Sequence, residues 1–367
     1  MACKTFYFAG GGTGGHIYPS IAVAQKICEL EPSARIHFFC SNREIDAQIL
    51  SHSGFEYTRL PALALKLASK KPISFFTSLI KSYKTAKQSF SDADNSIVTA
   101  TGGFVSVPVC LAALKSKIPV KILNVDILPG RANKLLGYFA DQIYVQFQET
   151  ADYFKKAKAQ VVGCPLRRGF DNPKPEKAKE QLGLDENKKI LLVTGASSGS
   201  ENINNVICSL LEKLNSFSKD WQIVHITGRT NLEKVKQIYS AALINHKVLS
   251  FYDDMPNLLA TADLVVGRSG AVSVAEYAAL GVPSICMPYP YHRDRHQYLN
   301  AGKLVEAGAA IIVDDLPDSI TTSQALFKEL NDLMANEEKR KKMKKSCEII
   351  VNRKAALKIA ELLLKNM

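Results

Sequence analysis

The chain has 367 residues, 46% hydrophobic and 22% charged, with a formal charge of +12. That length fits about two domains, each with its own core, and the apolar share excludes disordered, collagen-like and coiled-coil classes. The excess of 47 Lys and Arg over 35 Asp and Glu calls for an anionic partner, yet no zinc-finger spacing, RNP-type aromatic motif or basic-plus-heptad region marks nucleic acid.

The first strand-like run, residues 4–9, enters a glycine turn directly, with no secretory signal before it. That turn, Gly10 to Gly15, formally satisfies G-x-G-x-x-G and leads into a helix beginning near Pro19, with Val23, Ile27 and Leu30 on one face. Glycine there permits positive φ, and the helix start offers N–H groups to an anion. A dinucleotide would need an acid after the second strand, 35–40, but the chain reads Cys40-Ser41-Asn42-Arg43, which disfavours that ligand. Thr13 and His16 set a hydroxyl and an imidazole at the mouth of the turn, a pairing suited to proton transfer.

Between Glu56 and Asp92 there is no acid at all. Leu65, Leu67, Phe75, Phe76, Leu79 and Ile80 alternate there with Lys66, Lys70, Lys71, Lys81, Lys84 and Lys87. Such a stretch either docks on an anionic membrane surface or packs on a core with its lysines solvated. Asp92-Ala93-Asp94 spells the D-x-D of metal-dependent transferases but precedes its strand, 96–100, the wrong side for a ligand. A second small-residue turn, Thr101 to Ser106, follows that strand, and further strands are expected at 120–125 and 142–145.

The chain turns polar between Phe170 and Lys189, the best internal boundary. Strands then follow at 189–194, 222–227, 247–250, 264–266, 284–287 and 310–313, an alternation with helices that predicts parallel βαβ units. Thr194 to Gly199 reads TGASSG and Tyr83 to Lys87 spells Y-x-x-x-K, as in short-chain dehydrogenases. Glu201 replaces the next fingerprint glycine and the Tyr/Lys pair lies upstream, which leaves a phosphate cradle. Arg268 to Glu276, small residues at a helix start behind an arginine, suits a pyrophosphate, with Glu276 placed for ribose hydroxyls. His292 and His296, four apart, lack a third metal ligand, so no metal and no cofactor is expected. The run Lys339 to Lys345 reads as a solvated helix face. No apolar run approaches the roughly 20 residues that cross a bilayer, and the eight cysteines never form C-x-x-C. A cytoplasmic chain with reduced thiols is expected.

Together these motifs resemble the MurG family of bacterial peptidoglycan glycosyltransferases. The likeness lies in GGTGGH at Gly11 to His16, GGFVSVP at Gly102 to Pro108, PGRANKLL at Pro129 to Leu136, RSGAVSVAE at Arg268 to Glu276 and HQYLNA at His296 to Ala301. It implies an α/β fold of two doubly wound Rossmann-like domains facing across a cleft, the GT-B architecture. Residues 1–165 would face acceptor and membrane, 166–345 would bind the UDP-sugar, and a C-terminal helix, 346–367, would return to the first domain. The implied reaction is inverting transfer of N-acetylglucosamine from UDP-N-acetylglucosamine to the muramyl 4-hydroxyl of lipid I, giving lipid II, at the cytoplasmic face of the plasma membrane and without a metal.

The resemblance also implies roles. Arg167, Phe251 and Tyr252 would border uracil; Ser198, Gly199, Arg268 and Ser273 the diphosphate; Glu276 the ribose; Gln297 and Asn300 the sugar hydroxyls. Thr13, Gly14, Gly15, His16, Gly103, Phe104 and Asn124 would face the acceptor. One departure stands out: where members carry His-Glu-Gln-Asn, this chain has Leu123-Asn124-Val125-Asp126. His16 is the first candidate base and Asp126 the second. A diacylglycerol-glycosylating synthase, a non-catalytic nucleotide-sugar binder and an NADPH-dependent oxidoreductase are the alternatives.

Overall fold

The computed structural model describes residues 3–64, 67, 69–90, 94–154, 159–196 and 199–367. The chain divides into two units, one running through Arg168 and resuming at Asn352–Met367, the other comprising Gly169–Val351.

The first unit contains β1 (Thr5–Gly10), α1 (Gly14–Leu30), β2 (Arg35–Ser41), α2 (Glu44–Ser53), β3 (Glu56–Leu60), α3 (Pro72–Ser89) and β4 (Ser96–Gly102). It continues with α4 (Ser106–Lys115), β5 (Val120–Asn124), α5 (Arg131–Leu136), β6 (Gln142–Val145), α6 (Gln148–Ala151) and β7 (Ala159–Val161). The seven strands form one sheet in the order β3-β2-β1-β4-β5-β6-β7, every pair parallel. β1 and β4 are buried along their whole length, as expected of strands covered on both faces. Tyr7, Phe39 and Phe90 pack together beside the aliphatic core of β4 to β6. Strand order reverses between β1 and β4, so the glycine turns after these two strands open at one switch point of one sheet.

The second unit contains α7 (Pro175–Leu182), β8 (Lys189–Thr194), α8 (Glu201–Leu214), β9 (Trp221–Ile226), α9 (Leu232–Tyr239), β10 (Asn245–Leu249) and α10 (Met255–Thr261). There follow β11 (Leu264–Gly267), α11 (Ala271–Leu280), β12 (Ser284–Cys286), α12 (His296–Glu306), β13 (Ala310–Ile312), α13 (Ser319–Ala335) and α14 (Glu337–Ser346). Its parallel sheet runs β10-β9-β8-β11-β12-β13, with its own reversal between β8 and β11. Trp221, Tyr239 and the aliphatic faces of α8 and α13 fill its core. The last helix, α15 (Ala355–Lys365), rejoins the first unit and packs on α1, burying Ile359 and Leu363.

Several expectations need correction. Two strands escaped the sequence pattern, β3 and β7, both sheet edges: β3 is polar and β7 only three residues long, so neither has a buried period. Helix α1 starts at Gly14 and carries Pro19 inside it, because the uncapped glycines, not the proline, open the helix. α3 packs on α4 and buries Ser82 and Ala86, the latter in the core, while leaving Ile73, Phe76 and Ile80 at 80%, 58% and 53% exposed, so one face is core-packed and the other presents apolar side chains to solvent. Leu65 and Lys66 of that basic-apolar stretch, and Asp92 and Ala93, lie outside the described residues. The basic run falls on α14, capped by Asn336, with Lys341 paired to Glu337 and Glu338. Among the described residues no helix is long and apolar enough to cross a membrane, and no disulfide joins the cysteines. Burial pushes the Cys40, Cys110 and Cys286 thiols up to about 12.

Candidate active site

In the first unit, β1 ends at a glycine turn. Gly12 has φ +91°. Gly14 and Gly15 open α1 with no side-chain cap, so their N–H groups stay available to an anion, while that of His16 donates to Thr13 O. Thr13 is exposed beside them. His16 Nδ1 lies 3.0 Å from Gly11 O and 3.4 Å from Thr13 Oγ1. A carbonyl can only accept, so Nδ1 carries the hydrogen and Nε2 of the neutral ring keeps its lone pair. That is the tautomer a base needs.

The turn after β4 presses on this one. Gly102 and Gly103 take φ +110° and +77°. A Cβ on Gly103 would lie 2.6 Å from Gly11 O; one on Gly102 would meet Asn133 Oδ1 at 3.2 Å and His16 Nε2 at 3.4 Å. Only glycine fits either place. Thr101 Oγ1 donates to His16 O at 2.6 Å, and Ser106 Oγ donates to Gly102 O and Ala9 O, tying the two turns together. Phe104 is half-buried, with the Arg43 guanidinium 5.9 Å from its ring centre.

Asn124 ends β5, buried, and donates from Nδ2 to Asp126 O at 2.6 Å while accepting from Asn133 Nδ2 at 2.9 Å. Asn133 Oδ1 is left buried without a hydrogen-bond partner, on the side of Gly102 that His16 Nε2 also faces. Asp126 is half-buried at the end of this amide chain. Arg167 also belongs to the first unit, its guanidinium 3.8 Å from the Tyr18 ring centre.

The second unit repeats the plan with other chemistry. After β8, Gly195 and Gly199 admit no Cβ, which would fall 2.1 Å from Ser200 N and 2.7 Å from Thr227 O. Ser198 and its neighbour Ser197 lie outside the described residues. Ser200 caps α8 by accepting from Ile203 N. Arg268, at the end of β11, is buried: it pairs with Asp315 at 2.6 Å and donates to Met287 O at 2.8 Å and Ser200 Oγ at 2.6 Å. Asn202 Nδ2 donates to the other Asp315 oxygen. The sequence suggests that Arg268 borders a diphosphate; in the structure it is paired with Asp315 and bonded to Ser200 at the start of α8.

Ser273 and Glu276 sit three apart on α11, both half-buried, and α11 starts at Gly270 without a side-chain cap. Gln297 accepts from Tyr289 N through Oε1 and from Ser269 Oγ through its carbonyl, and buried Asn300 lies against Ser269 O. Phe251 and Tyr252 follow β10; Phe251 is exposed, and Tyr252 OH donates to Gln181 at 2.7 Å. Desolvation, then the charge of Asp254, raises the Tyr252 phenol. The His292 and His296 rings stack 4.3 Å apart, with Asp294 bound to His296 Nδ1 at 2.7 Å. Among the described residues no three His, Cys, Asp or Glu side chains are gathered for a metal ion.

Sequence reasoning missed four residues. Asp46 holds the first glycine turn, Asn133 faces His16, and Asp315 pairs with Arg268. His225, wholly buried, spans Tyr239 OH and Asn204 Oδ1 at 3.0 Å each, and desolvation lowers it to about 3. The Asn124-to-Asn133 pair had a local signal in PGRANKLL; the others meet partners far along the chain.

Two parallel α/β units with glycine turns at their switch points make the two-Rossmann architecture of the GT-B class. Comparison agrees: residues 6–145 match the glycosyltransferase family 28 N-terminal domain and 190–363 the family 28 C-terminal domain. The UDP-N-acetylglucosamine--N-acetylmuramyl-(pentapeptide) pyrophosphoryl-undecaprenol N-acetylglucosamine transferase of Thermodesulfovibrio yellowstonii is 35% identical over 337 residues, 91% of each chain. Its counterpart in Caldanaerobacter subterraneus subsp. tengcongensis is 32% identical, covering 97% of this chain and 98% of that one. The crystal structure of Acinetobacter baumannii MurG superposes with TM-score 0.73 at 23% identity, over 99% of this chain and 100% of that one. A UDP-GlcNAc 2-epimerase from Neisseria meningitidis, bound to UDP-GlcNAc, shares the fold with TM-score 0.70 at 16% identity, over 99% and 100%. The chain belongs to glycosyltransferase family 28 and, within it, to the MurG family of N-acetylglucosamine transferases.

Proposed function

We propose that this chain transfers N-acetylglucosamine from UDP-N-acetylglucosamine to lipid I, giving lipid II, with His16 as the base. The observation that carries the assignment of the base is the 3.0 Å contact of His16 Nδ1 with Gly11 O, which places the hydrogen on Nδ1 and leaves Nε2 toward the turn after β4. The muramyl 4-hydroxyl gives its proton to Nε2 as its oxygen attacks C1 of the donor sugar. The C1–O bond to the diphosphate breaks on the opposite face, inverting the anomeric centre, and UDP leaves with the electron pair. Thr13, Gly14, Gly15, Gly103, Phe104 and Asn124 receive the acceptor, the uncapped start of α1 facing its pyrophosphate.

On the donor side, Phe251, Tyr252 and Arg167 serve uracil, Glu276 the ribose, and Gln297 and Asn300 the sugar. Gly199 and the uncapped start of α11 with Ser273 meet the developing charge on UDP with main-chain dipoles, and Ser198 is assigned to the same diphosphate from its place in the sequence. Arg268 acts there as the clamp on α8. The exposed Ile73, Phe76 and Ile80 of α3, flanked by Lys70, Lys71, Lys81, Lys84 and Lys87, support docking on an anionic leaflet at the cytoplasmic face of the membrane.

The test is UDP release from UDP-N-acetylglucosamine with a lipid I analogue or with diacylglycerol, in the presence of a chelator. Turnover with the lipid I analogue alone, undiminished by the chelator, is expected. Turnover with diacylglycerol alone would overturn the acceptor. Full activity of His16→Ala with none in Asp126→Ala would move the base to Asp126.

A further inference from the structure

We propose that Asp46 is a positioning residue for His16, acting through the peptide group that joins Gly11 to Gly12. The proposal rests on the reading of His16 as the base.

Asp46 stands in the first turn of α2 and is 0% exposed. Its carboxylate is met by four donor contacts. Gly12 N lies 2.8 and 3.1 Å from its two oxygens, Ser41 N lies at 3.1 Å and Ser41 Oγ at 2.5 Å. The donor of the first two contacts, Gly12 N–H, and the acceptor of the His16 bond, Gly11 C=O, belong to one peptide unit. In a trans peptide these two groups point in opposite directions. Carboxylate and imidazole therefore sit at the two ends of one amide: Asp46 COO⁻ to H–N of Gly12, then C=O of Gly11 to H–Nδ1 of His16.

A negative charge accepting from the N–H end polarises the amide and makes its oxygen a stronger acceptor. The Nδ1–H bond then strengthens as the ring takes the acceptor's proton at Nε2 and becomes cationic. An aspartate bonded directly to the histidine does this in a Ser-His-Asp triad; here a peptide intervenes. No proton passes to Asp46: Nδ1 keeps its hydrogen throughout, and the transferred proton stays on Nε2. The surroundings leave the link no freedom. A Cβ on Gly11 would fall 2.6 Å from Asp46 Oδ2, and one on Gly103 would fall 2.6 Å from Gly11 O. Arg43 donates to the next carbonyl, Gly12 O, at 2.6 Å.

The experiment uses the full chain labelled with ¹⁵N-histidine, comparing wild type with Asp46→Asn and His16→Ala. Asp46→Asn is expected to lower kcat at least tenfold and to leave KM for UDP-N-acetylglucosamine within twofold. It is also expected to shift the His16 ring from the Nδ1–H tautomer toward Nε2–H in ¹⁵N spectra. An unchanged tautomer ratio, or kcat within twofold of wild type, overturns the relay. Full turnover in His16→Ala is a different failure, that of the base itself. If Asp46→Asn yields no folded protein, Ser41→Ala, which withdraws one bond and keeps the carboxylate, is read by the same two measurements, with kcat lowered about threefold.

Discussion

The turn after β1 and the turn after β8 are built from the same parts and end in opposite electrostatics. Both run from a buried strand through glycines into a helix at a switch point. Under the first lies a carboxylate, Asp46, and the helix it opens is uncapped and begins with an imidazole two residues in. Beside the second lies a cation, Arg268, cancelled by Asp315 and used to hold the Ser200 cap. A glycine turn is therefore a geometric device whose chemistry is set by what packs beneath it. The first is arranged to hold one imidazole by its Nδ1, the second to fix the start of a helix.

The largest break in this comparison is expected from His16→Ala. Loss of a general base should lower kcat by about 10²- to 10⁴-fold in the UDP-release assay, while UDP affinity, for which His16 is not proposed, stays unchanged by calorimetry. Asp315→Asn probes the other turn. A buried guanidinium left without its counter-charge should cost about 3–5 kcal/mol in denaturant unfolding of the second unit. Gly103→Ala should cost about 1–3 kcal/mol at the first turn, since φ +77° and the Gly11 carbonyl both oppose a side chain.

His225 gives a pH prediction. Burial holds its folded value near 3, below the ordinary 6.5, so the unfolded chain binds one more proton between those limits. Stability contributed by the neutral ring is complete above 6.5 and falls with acidification toward 3, by about 1.4 kcal/mol per pH unit. His225→Gln should flatten that slope in urea titrations between pH 4 and 6. The smallest effect is expected at the surface: each of Lys81→Gln and Lys84→Gln should weaken sedimentation with anionic liposomes by about 1 kcal/mol.

Much of this was legible in the sequence because buried parallel strands announce themselves as apolar runs. β1, β4 and β8 read cleanly; the polar edge β3 and the three-residue β7 did not, having no buried face to impose a pattern. The glycine turns were legible too, since positive φ and close approach select that residue. Their partners were not. Asp46 lies a helix turn beyond the place where a dinucleotide fold keeps its acid, and it serves the backbone of the loop instead. Arg268 read as a group bordering a diphosphate, and its pairing with Asp315 was not legible because Asp315 arrives only through the packing of β13 beside β12. Local periodicity does not encode such meetings.

The packing of α15 on α1 has a consequence for synthesis. The strand and helix that carry His16 leave the ribosome well before α15, the helix that covers α1. Until Ile359 and Leu363 arrive, one flank of α1 has no cover, and all of Gly169–Val351 must be made in the meantime. Maturation of the histidine-bearing unit is thus tied to synthesis of α15, and a nascent chain stalled before that helix should expose the flank to proteases and chaperones.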